Sequence, residues 1–322
     1  MKYDVVALGE LLIDFTEYGN STQGNPVMEA NPGGAPGNVL SMLTRLGHKT
    51  GFIGKVGEDM FGRQLLEALN EVGVGTEGVV TDKEVNTTLA FVHTFPGGDR
   101  EFSFYRNPGA DMMLREQELN MEMLRNCRIF HFGTLSMTHE GCRAATRRAV
   151  REAKAAGAVI SFDPNLRESL WKTLDEAREQ VLFGLGQCDI VKISDNEVIW
   201  LTGEKDYDAG AAWIYEHYEI PLILVSLGPN GSRAYMGGKR VEVPSVLTRN
   251  TIETTGAGDT FFGCVLNFVL EHGFHEYTEA EMTEMLQFAN SGASIITTRK
   301  GALRVMPARS EVEALVQATF RK

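Results

Sequence analysis

Residues 128–163 read RIFHFGTLSMTHEGCRAATRRAVREAKAAGAVISFD, two short apolar runs joined by a longer amphipathic stretch. The runs RIFHFG (128–133) and AVISFD (158–163) have the length and the near-continuous apolar character of buried strands. The pattern of residues 138–155 between them is helical. Buried strands that are separated by helices indicate a mainly parallel sheet with helices on both faces.

Two further apolar runs of strand length occupy residues 189–194 (DIVKIS) and 222–227 (LILVSL), and residues 209–217 between them have another helical pattern. This alternation predicts an α/β fold, a doubly wound αβα sandwich, with residues 1–322 in a single domain. Ligands of this fold class bind outside the carboxyl ends of the strands. Polar residues that directly follow a predicted strand are therefore candidates for a site.

The first third of the chain has a different pattern. ELLIDFTEYG (10–19), TLAFVHTF (88–95) and REFSFYRN (100–107) alternate apolar and polar residues. Strands of this kind are half-exposed and usually antiparallel. We expect a small antiparallel sheet without intervening helices, with strands from roughly 11–31 and 87–106, that projects from the main body as a lid.

The composition excludes several classes of function. The chain of 322 residues carries 31 basic and 43 acidic side chains, a net charge of −12, and has no basic cluster, which argues against nucleic-acid and membrane partners. The four cysteines are far apart and form no CxxC pair, so we expect reduced thiols. No apolar run approaches the ~18 residues of a membrane helix, and we expect a soluble, cytoplasmic protein.

The strongest chemical signal is TTGAGDTFFGCVLNFVLEHG, residues 254–273. Residues 261–270 are apolar on nearly every side, which is typical of a buried helix. The start of such a helix carries unpaired N–H groups and the positive end of the helix dipole. The small residues Gly256, Ala257 and Gly258 allow an anion to approach these N–H groups closely.

Asp259 directly follows these small residues. A carboxylate beside a bound phosphate can act as the general base that takes a proton from an attacking hydroxyl, while the N–H groups stabilise the charge on the transferred group. The alternative is a structural role for Asp259 as a helix cap.

A second glycine cluster lies in NPGGAPGNVLSMLTRLG, residues 31–47. Gly33 and Gly34 precede a predicted helix, and Asn38 lies in its first turn. An amide beside bare glycine backbone suits hydrogen bonding to a polyol, and Asp14 beyond the first strand could accept from sugar hydroxyls. The alternative is a flexible turn followed by a capped helix.

Polar residues follow three further predicted strands. They are Asp163, Asn165 and Arg167 in SFDPNLRESLW, Arg106 and Asp111 in FYRNPGAD, and Lys192, Ser194, Asp195 and Glu197 in KISDNEVIW. Their position at strand ends favours ligand binding. Structural alternatives are an Asx turn in the first segment, a surface charge in the second, and a capping box in the third.

Other apparent motifs have simpler structural explanations. No GxxxxGK[ST] motif is present, and the GxGxxG at residues 73–78 lies at the end of a helical pattern, where Gly73 is better explained as a helix C-cap. Residues 225–235 resemble a simple hairpin. His272 and His275 lie at a predicted helix end, which argues against a metal pair.

Three motifs in order, GGAPGN (33–38), DPNLR (163–167) and TTGAGDTFFG (254–263), resemble the ribokinase (PfkB-type) family of sugar kinases over essentially the whole chain. GGDREFSFYRNPGADMML (97–114) and FDPNLRESLW (162–171) look most like the fructokinases of that family. The resemblance implies a ribokinase-like fold with a small β-sheet lid. It also implies transfer of the γ-phosphoryl group of ATP to the 6-hydroxyl of fructose, with Mg²⁺.

The resemblance assigns roles to individual residues. Asp259 would be the base, and the backbone of Gly256, Ala257 and Gly258 would be the anion hole. The sugar would be met by Asp14, Gly33, Gly34, Asn38, Arg106 and Asp163, with Arg167 near the sugar or the transferred phosphate. The nucleotide would lie along Lys192, Ser194, Ser226, Gly228, Gly231 and Asn290. Glu197 would orient the metal through water.

Several alternatives stay open at this point. The family commonly has Asp in place of Glu253, which leaves a dependence on potassium open. A 2-keto-3-deoxygluconate kinase would use Arg106 and Arg167 to bind the sugar carboxylate, although Asp111 would repel it. A catalytically silent sugar-binding relative is a further alternative. Apolar residues of the lid could cover the sugar or form a homodimer: Phe91, Phe102 and Phe104.

Overall fold

The computed structural model describes residues 2–94, 100–248 and 250–321, with backbone alone at residues 94 and 100–102. The strands are β1 (Tyr3–Leu8), β2 (Leu12–Asn20), β3 (Pro26–Gly33), β4 (Thr50–Gly57), β5 (Gly75–Asp82), β6 (Leu89–Thr94), β7 (Arg100–Tyr105), β8 (Cys127–Gly133), β9 (Val159–Asp163), β10 (Ile190–Ser194), β11 (Leu222–Ser226), β12 (Ser232–Met236) and β13 (Lys239–Val243). The α-helices are α1 (Ala35–Arg45), α2 (Met60–Glu71), α3 (Met121–Arg125), α4 (Glu140–Ala155), α5 (Leu174–Leu185), α6 (Asp195–Thr202), α7 (Tyr207–Tyr218), α8 (Ala257–His272), α9 (Glu279–Ile296) and α10 (Arg309–Phe320).

The larger sheet has the order β13-β12-β11-β10-β9-β8-β1-β4-β5 within the described residues. Every pair from β11 to β5 is parallel, and β12 and β13 extend the sheet in antiparallel fashion at one edge. Apolar side chains on the two faces of the sheet belong to two separate hydrophobic clusters. The predicted doubly wound αβα architecture is therefore confirmed.

Residues 128–163 form the strand–helix–strand unit that their sequence predicts. Strands β8 and β9 pair in parallel, with Phe130 opposite Ile160. Neighbouring residues of β8 point to opposite faces, so that Ile129 joins one hydrophobic cluster and Phe130 the other. Helix α4 packs on the sheet through small residues at a spacing of four, which allow a close approach: Ala145, Ala149 and Ala153.

The smaller sheet has the order β3-β2-β6-β7. The hairpins β2–β3 and β6–β7 are antiparallel, but β2 and β6 pair in parallel at the centre of the sheet. The expected antiparallel pairing is thus confirmed within each hairpin and wrong between them. The expected absence of intervening helices is wrong, because α1, β4, α2 and β5 lie between the hairpins in the chain. β2 and β6 each follow a strand of the parallel sheet, β1 and β5, which accounts for their common direction.

The aromatic residues of the small sheet lie on both of its faces. Phe91 stacks on Phe15 with 4.8 Å between ring centroids, and Phe15 also packs edge-on against Phe61 of α2. Phe104 is paired with Ala90 and therefore lies on the opposite face from Phe91. The side chain of Phe102 lies outside the described residues.

The GxGxxG sequence, residues 225–235 and His272 occupy the structural positions that the sequence predicts. Gly73 follows the end of α2 with a left-handed φ of 84°, so the GxGxxG sequence leads from a helix into a strand. Residues 225–235 include the antiparallel pair β11–β12. His272 is the last residue of α8 and stacks on Phe268. These observations confirm the helix C-cap, the hairpin and the helix-end position of the histidine.

All four cysteines are buried and free. The prediction that they form no disulfide framework is confirmed. Among the described residues, no helix is long and apolar enough to cross a bilayer, and no cluster of three or more His, Cys, Asp or Glu side chains is arranged to hold a metal ion.

Candidate active site

Helix α8 begins beside a glycine that no other residue could readily replace. Gly256 has a left-handed φ of 75°, and a Cβ at this position would lie 2.6 Å from the Cβ of Ala302. Both the backbone conformation and the lack of space therefore require glycine. Within the described residues no side chain caps the helix, and its N-cap is Gly256, so the alternative of Asp259 as a helix cap is wrong.

The first turn of α8 presents unpaired amide groups. The amide of Ala257 donates to the carbonyl of Thr254, whereas the amides of Gly258 and Asp259 have no hydrogen-bond acceptor within the described part of the chain. A Cβ at Gly258 would lie 3.1 Å from Lys192 Nζ. The helix start therefore combines two free donors, a helix dipole and a neighbouring ammonium group.

Asp259 lies half-buried in this first turn. Asn38 Nδ2, from the first turn of α1, donates a hydrogen bond of 2.8 Å to Asp259 Oδ2. Burial raises the pKa of the Asp259 carboxyl to about 6; the neighbouring Asp163 adds to the shift, and Asn38, Lys192 and Arg167 oppose it. A carboxyl with this pKa is ionised at neutral pH and can still accept a proton readily.

A buried ion pair lies next to Asp259. Lys192 Nζ, from β10, is 2.9 Å from Asp163 Oδ2, at the end of β9. Burial alone would lower the pKa of the Lys192 ammonium, but the Asp163 and Glu197 carboxylates outweigh burial and raise it. Lys192 therefore stays charged, and it contributes a fixed positive charge at the start of α8.

Asp163 also forms the Asx turn that its segment predicts. Its Oδ1 accepts from the amide of Asn165, a residue with a left-handed φ of 43°. Because its other oxygen holds Lys192, the Asp163 carboxylate is engaged by the protein on both sides. Its predicted contact with a sugar stays a prediction.

These groups line a cavity of about 360 Å³ between the small sheet and the main body. The cavity joins predicted residues from five separate segments: Asp14, Gly34, Asn38, Arg167, Lys192, Gly256, Gly258 and Asp259. Thr16, Val92 and Phe104 of the small sheet also face it. Phe104 is thus a wall of this cavity, as one of the two alternatives for that residue requires.

The glycine pair before α1 allows close contacts that a side chain would block. Gly34 has a φ of 120°, and a Cβ there would overlap the carbonyl oxygen of Glu10. A Cβ at Gly33 would overlap the Asp14 carboxylate. The fixed turn brings Asn38 to Asp259, and the buried Asn38 Oδ1 has no partner among the described residues. This oxygen is suited to accept from a hydroxyl group in the cavity.

A second cavity of about 300 Å³ shares Asn165, Arg167 and Lys192 with the first. Ser194 and Glu197 line it. Ser194 is the N-cap of α6 and forms the predicted capping box, since Glu197 Oε2 accepts from both its amide and its hydroxyl. Glu197 Oε1 accepts from the amide of Leu166.

The remaining nucleotide candidates lie at the end of β11 and beyond. Ser226 ends β11, and Gly228 and Gly231 flank the turn into β12, with φ values of 54° and 103°. A Cβ at Gly231 would overlap the carbonyl oxygen of Val243. The side chain of Asn290 donates through Nδ2 to the carbonyls of Val243 and Pro244. Its Oδ1 accepts from the Ser232 hydroxyl. Asn290 is therefore occupied in holding the end of β13.

Arg106 lies apart from Asp259. It lines a neighbouring cavity of about 580 Å³ and not the one that contains Asp259. Its guanidinium donates to Asp111, to the Thr138 hydroxyl and to the Leu135 carbonyl. Arg106 was predicted to be a sugar ligand and Asp111 to be a negative charge that repels an acidic sugar, whereas the structure pairs the two.

Glu10 also belongs to the candidate site, although no motif of the sequence pointed to it. This buried residue follows β1, lines the cavity of Asp259, and accepts a 2.9 Å hydrogen bond from the amide of Ala35 at the start of α1. Burial raises the pKa of the Glu10 carboxyl to about 7, against hydrogen bonds that lower it. The rule applied to the other strand ends would have selected Glu10, because it also follows a buried parallel strand.

Residues 2–309 match the sequence profile of the pfkB family carbohydrate kinases. The chain belongs to the PfkB family. The match includes every element that contributes to the cavity, from β1 to α8, so the residues around Asp259 form the candidate active site of a PfkB kinase.

Relatives of this PfkB kinase include enzymes named for one sugar. A "Probable fructokinase-2" of Arabidopsis thaliana is 43% identical over 313 residues, which are 97% of this chain and 94% of the relative. The ATP-bound fructokinase of Xylella fastidiosa superimposes with a TM-score of 0.89 at 32% identity, over 99% of both chains. The fructokinase of Vibrio cholerae, with fructose, ADP and calcium bound, gives a TM-score of 0.87 at 28% identity, over 98% of this chain and 100% of the other.

Proposed function

We propose that this PfkB kinase transfers the γ-phosphoryl group of ATP to the 6-hydroxyl of fructose. The observation that carries the proposal is the position of Asp259, a carboxylate with a raised pKa beside two free amides at a helix start, in a cavity of about 360 Å³. Relatives named fructokinase, with identities of about 40%, support the choice of sugar.

Asp259 is the proposed general base. Its Oδ2 is oriented by Asn38, so a hydroxyl in the cavity can give up its proton to a carboxylate in a fixed position. Proton transfer needs no change in the surrounding hydrogen bonds, because Asn38 continues to donate to the same oxygen. ATP, as the second substrate, supplies the transferable phosphoryl group.

Charge on the transferred group is proposed to be stabilised by the start of α8. The free amides of Gly258 and Asp259 act together with the Lys192 ammonium and with Arg167, which lies where the two cavities meet. The amide of Ala257 is bonded to Thr254, so its predicted part in the anion hole would require this turn to open. We therefore assign the main contribution to the next two amides.

Magnesium is proposed to arrive with the nucleotide. Both oxygens of Glu197 already accept hydrogen bonds from Leu166 and Ser194, which suits the role that the family resemblance implies, an orientation of the metal through water. Direct coordination by Glu197 would break its capping box. Mg²⁺ commonly keeps several water ligands, which suits this second-layer position.

The small sheet is proposed to act as a lid over the sugar. Asp14, Val92 and Phe104 bring a carboxylate and apolar surface from this sheet onto the cavity of Asp259. Exclusion of water matters for a kinase, since water would otherwise accept the phosphoryl group.

Potassium stays an open prediction. Glu253 Oε1 accepts a 2.7 Å hydrogen bond from the amide of Gly301, and so ties the segment before α8 to the loop after α9. Activity in potassium chloride against tetramethylammonium chloride at equal ionic strength decides whether an ion assists this tie.

The 2-keto-3-deoxygluconate alternative is less well supported. It requires two arginines for the sugar carboxylate, but Arg106 is neutralised by Asp111 and bonded at all three nitrogens. Arg167 alone lines the cavity. Because Asp111 is paired with Arg106, its charge does not argue against an acidic sugar. A silent relative is also disfavoured, because an oriented base with a raised pKa serves no purpose in simple binding.

A homodimer through the lid stays a proposal. The residues that would meet a partner are Tyr18 and Tyr105, which are 66% and 67% exposed on the small sheet. Phe91 and Phe104 are less exposed. Phe91 stacks on Phe15 of the same sheet, and Phe104 faces the cavity. Sedimentation of the full chain measures the mass directly.

We expect strong ADP release with MgATP and fructose, and little with 2-keto-3-deoxygluconate, ribose, adenosine or water alone. The physical reason is a cavity with hydroxyl-binding groups and a single arginine, Arg167, whose guanidinium also donates to the Leu166 carbonyl. A coupled assay of ADP over this panel measures the preference. A preference for the acidic sugar would contradict the proposal for fructose while leaving the role of Asp259 intact.

We expect kcat/KM for fructose to fall as the pH is lowered from 7 to 5. Protonation of Glu10, with a pKa of about 7, weakens its acceptance from Ala35, and protonation of Asp259, with a pKa of about 6, removes the base. In Glu10→Gln only the decline centred near pH 6, from Asp259, should remain. Identical profiles in both proteins would contradict a role for Glu10.

Unfolding does not explain such a loss. Both carboxyls have a pKa in the folded protein above the ordinary value, so the folded state binds more protons than the unfolded chain as the pH falls below 7. These two groups therefore contribute increasing stability as the pH falls towards 5. The melting temperature at pH 5.5 and pH 7 provides the control.

A further inference from the structure

We infer that Arg106, Asp111 and Thr88 form a clamp that sets the orientation of the lid, so that Arg106 is a positioning residue. Thr88 directly precedes β6 and Arg106 directly follows β7, so both connections of this hairpin to the main body enter the clamp. The inference rests on the proposed function, since a lid has a purpose only if the cavity beneath it binds a sugar.

Asp111 joins the two connections. Its Oδ1 accepts a hydrogen bond of 2.5 Å from the Thr88 hydroxyl, and its Oδ2 accepts one of 2.8 Å from Arg106 Nε. A Cβ at Gly109 would overlap the Thr88 hydroxyl, so glycine at this position allows the two segments to touch. The clamp therefore fixes the distance between the chain entering β6 and the chain leaving β7.

Arg106 also ties the lid to the main body. Its Nη1 donates to the Thr138 hydroxyl at 2.8 Å, and its Nη2 donates to the Leu135 carbonyl at 2.9 Å. Both acceptors follow β8 of the larger sheet. Leu135 and Phe104, two residues before Arg106, line the cavity of Asp259. A change in the clamp would therefore move a wall of the proposed sugar site.

Stability alone gives a weak reason for such a pair. The side chains of Arg106 and Asp111 are 2% and 1% exposed, and the desolvation of two charges largely offsets their attraction. Apolar residues of similar volume often stabilise a protein as well as a buried ion pair does. The charged pair adds a fixed geometry, because the planar guanidinium holds three acceptors in one arrangement.

A second group of hydrogen bonds holds the chain that enters β6. The Thr87 amide and hydroxyl both donate to Asp59, the N-cap of α2, and the Gly57 amide donates to the Thr87 hydroxyl. The chain before β6 is thus fixed to the main body by Thr87 and to the other connection by Thr88. The chain that enters β6 therefore has little freedom to move while these hydrogen bonds are intact.

The decisive variant is Thr88→Val, which removes one hydroxyl and leaves the Arg106–Asp111 pair in place. Thr146→Val is the matched control, because Thr146 is equally buried and its hydroxyl donates within the main body to Ser136 and Cys142. We expect Thr88→Val to raise KM for fructose about tenfold and to lower kcat less than about threefold. The control should leave both constants nearly unchanged.

The same variants test the clamp without any substrate. Hydrogen exchange of the amides in residues 89–94 and 100–105 should be about tenfold faster in Thr88→Val than in Thr146→Val. Exchange in β8 and β9 should match between the two variants. Equal exchange in the small sheet would overturn the clamp, whatever the protein phosphorylates.

The kinetic and exchange results separate the two proposals. If no sugar in the panel releases ADP, the proposed function fails while hydrogen exchange still decides the clamp. Faster exchange with an unchanged KM would overturn the positioning role of the clamp. Arg106→Met combined with Asp111→Leu, which leaves no unpaired charge, should reproduce the raised KM and the faster exchange; a wild-type KM in this folded double variant would also overturn it.

Discussion

Changing Asp259 to asparagine is expected to lower kcat for fructose about a thousandfold or more. The amide is nearly the same size and can remain beside Asn38, but it cannot take the proton of the attacking hydroxyl. The fold should be retained, because the variant removes a partly buried charge, and burial has already raised the pKa of this carboxyl to about 6. Steady-state kinetics with circular dichroism and thermal melting measure both effects.

The matched control is Asp14→Asn, the same change at another carboxylate of the cavity. We expect this variant to raise KM for the sugar and to keep most of kcat, because Asp14 is proposed to hold a hydroxyl and not to accept its proton. A wild-type kcat in Asp259→Asn would contradict the assignment of Asp259 as the general base. Equal losses of kcat in the two variants would leave Asp259 without a special role.

Changing Asn38 to aspartate is expected to lower kcat/KM at pH 7 about a hundredfold. Asn38 Nδ2 is 2.8 Å from Asp259 Oδ2, and two carboxylates at this separation cannot both ionise readily. The pair would hold a shared proton at neutral pH and would lose it only in more alkaline solution. Activity should therefore recover as the pH is raised towards 9, which a pH–rate profile measures.

Asn38→Ala separates this charge effect from the loss of the amide. The alanine variant also removes the hydrogen bond to Asp259 and any contact with the sugar, but it adds no like charge. We expect the pKa that limits activity at low pH to rise less in Asn38→Ala than in Asn38→Asp. Superimposable pH profiles of the two variants would show that the two side chains do not interact as the structure indicates.

The main features of the fold and of the candidate active site were predictable from sequence, for local reasons. A buried strand has apolar residues on both faces, and the sequence of β8 shows this without knowledge of its neighbours. The start of α8 was equally readable, because Gly256 is required by its own φ value and because the helix behind it is apolar all round. Such features depend on a few consecutive residues.

Features that depend on distant partners were not predictable. The sequence offers no sign that Arg106 meets Thr138 and Leu135, which follow a different strand of the other sheet. An arginine at a strand end therefore suggested a ligand contact where the structure shows a full set of protein partners. The parallel pairing of β2 with β6 was missed for the same reason, since pairing depends on where two separate hairpins leave the main body.

That parallel pair has a consequence for the order of folding. Strands β2 and β6 align Asp14 with Ala90, and the chain between them builds α1, β4, α2 and β5. A pairing across so long a segment has a large loop-closure entropy cost until the intervening elements are in place and bring its ends together. The small sheet is thus expected to form late, so a newly made chain has α8 packed before the cover of its proposed sugar site is complete.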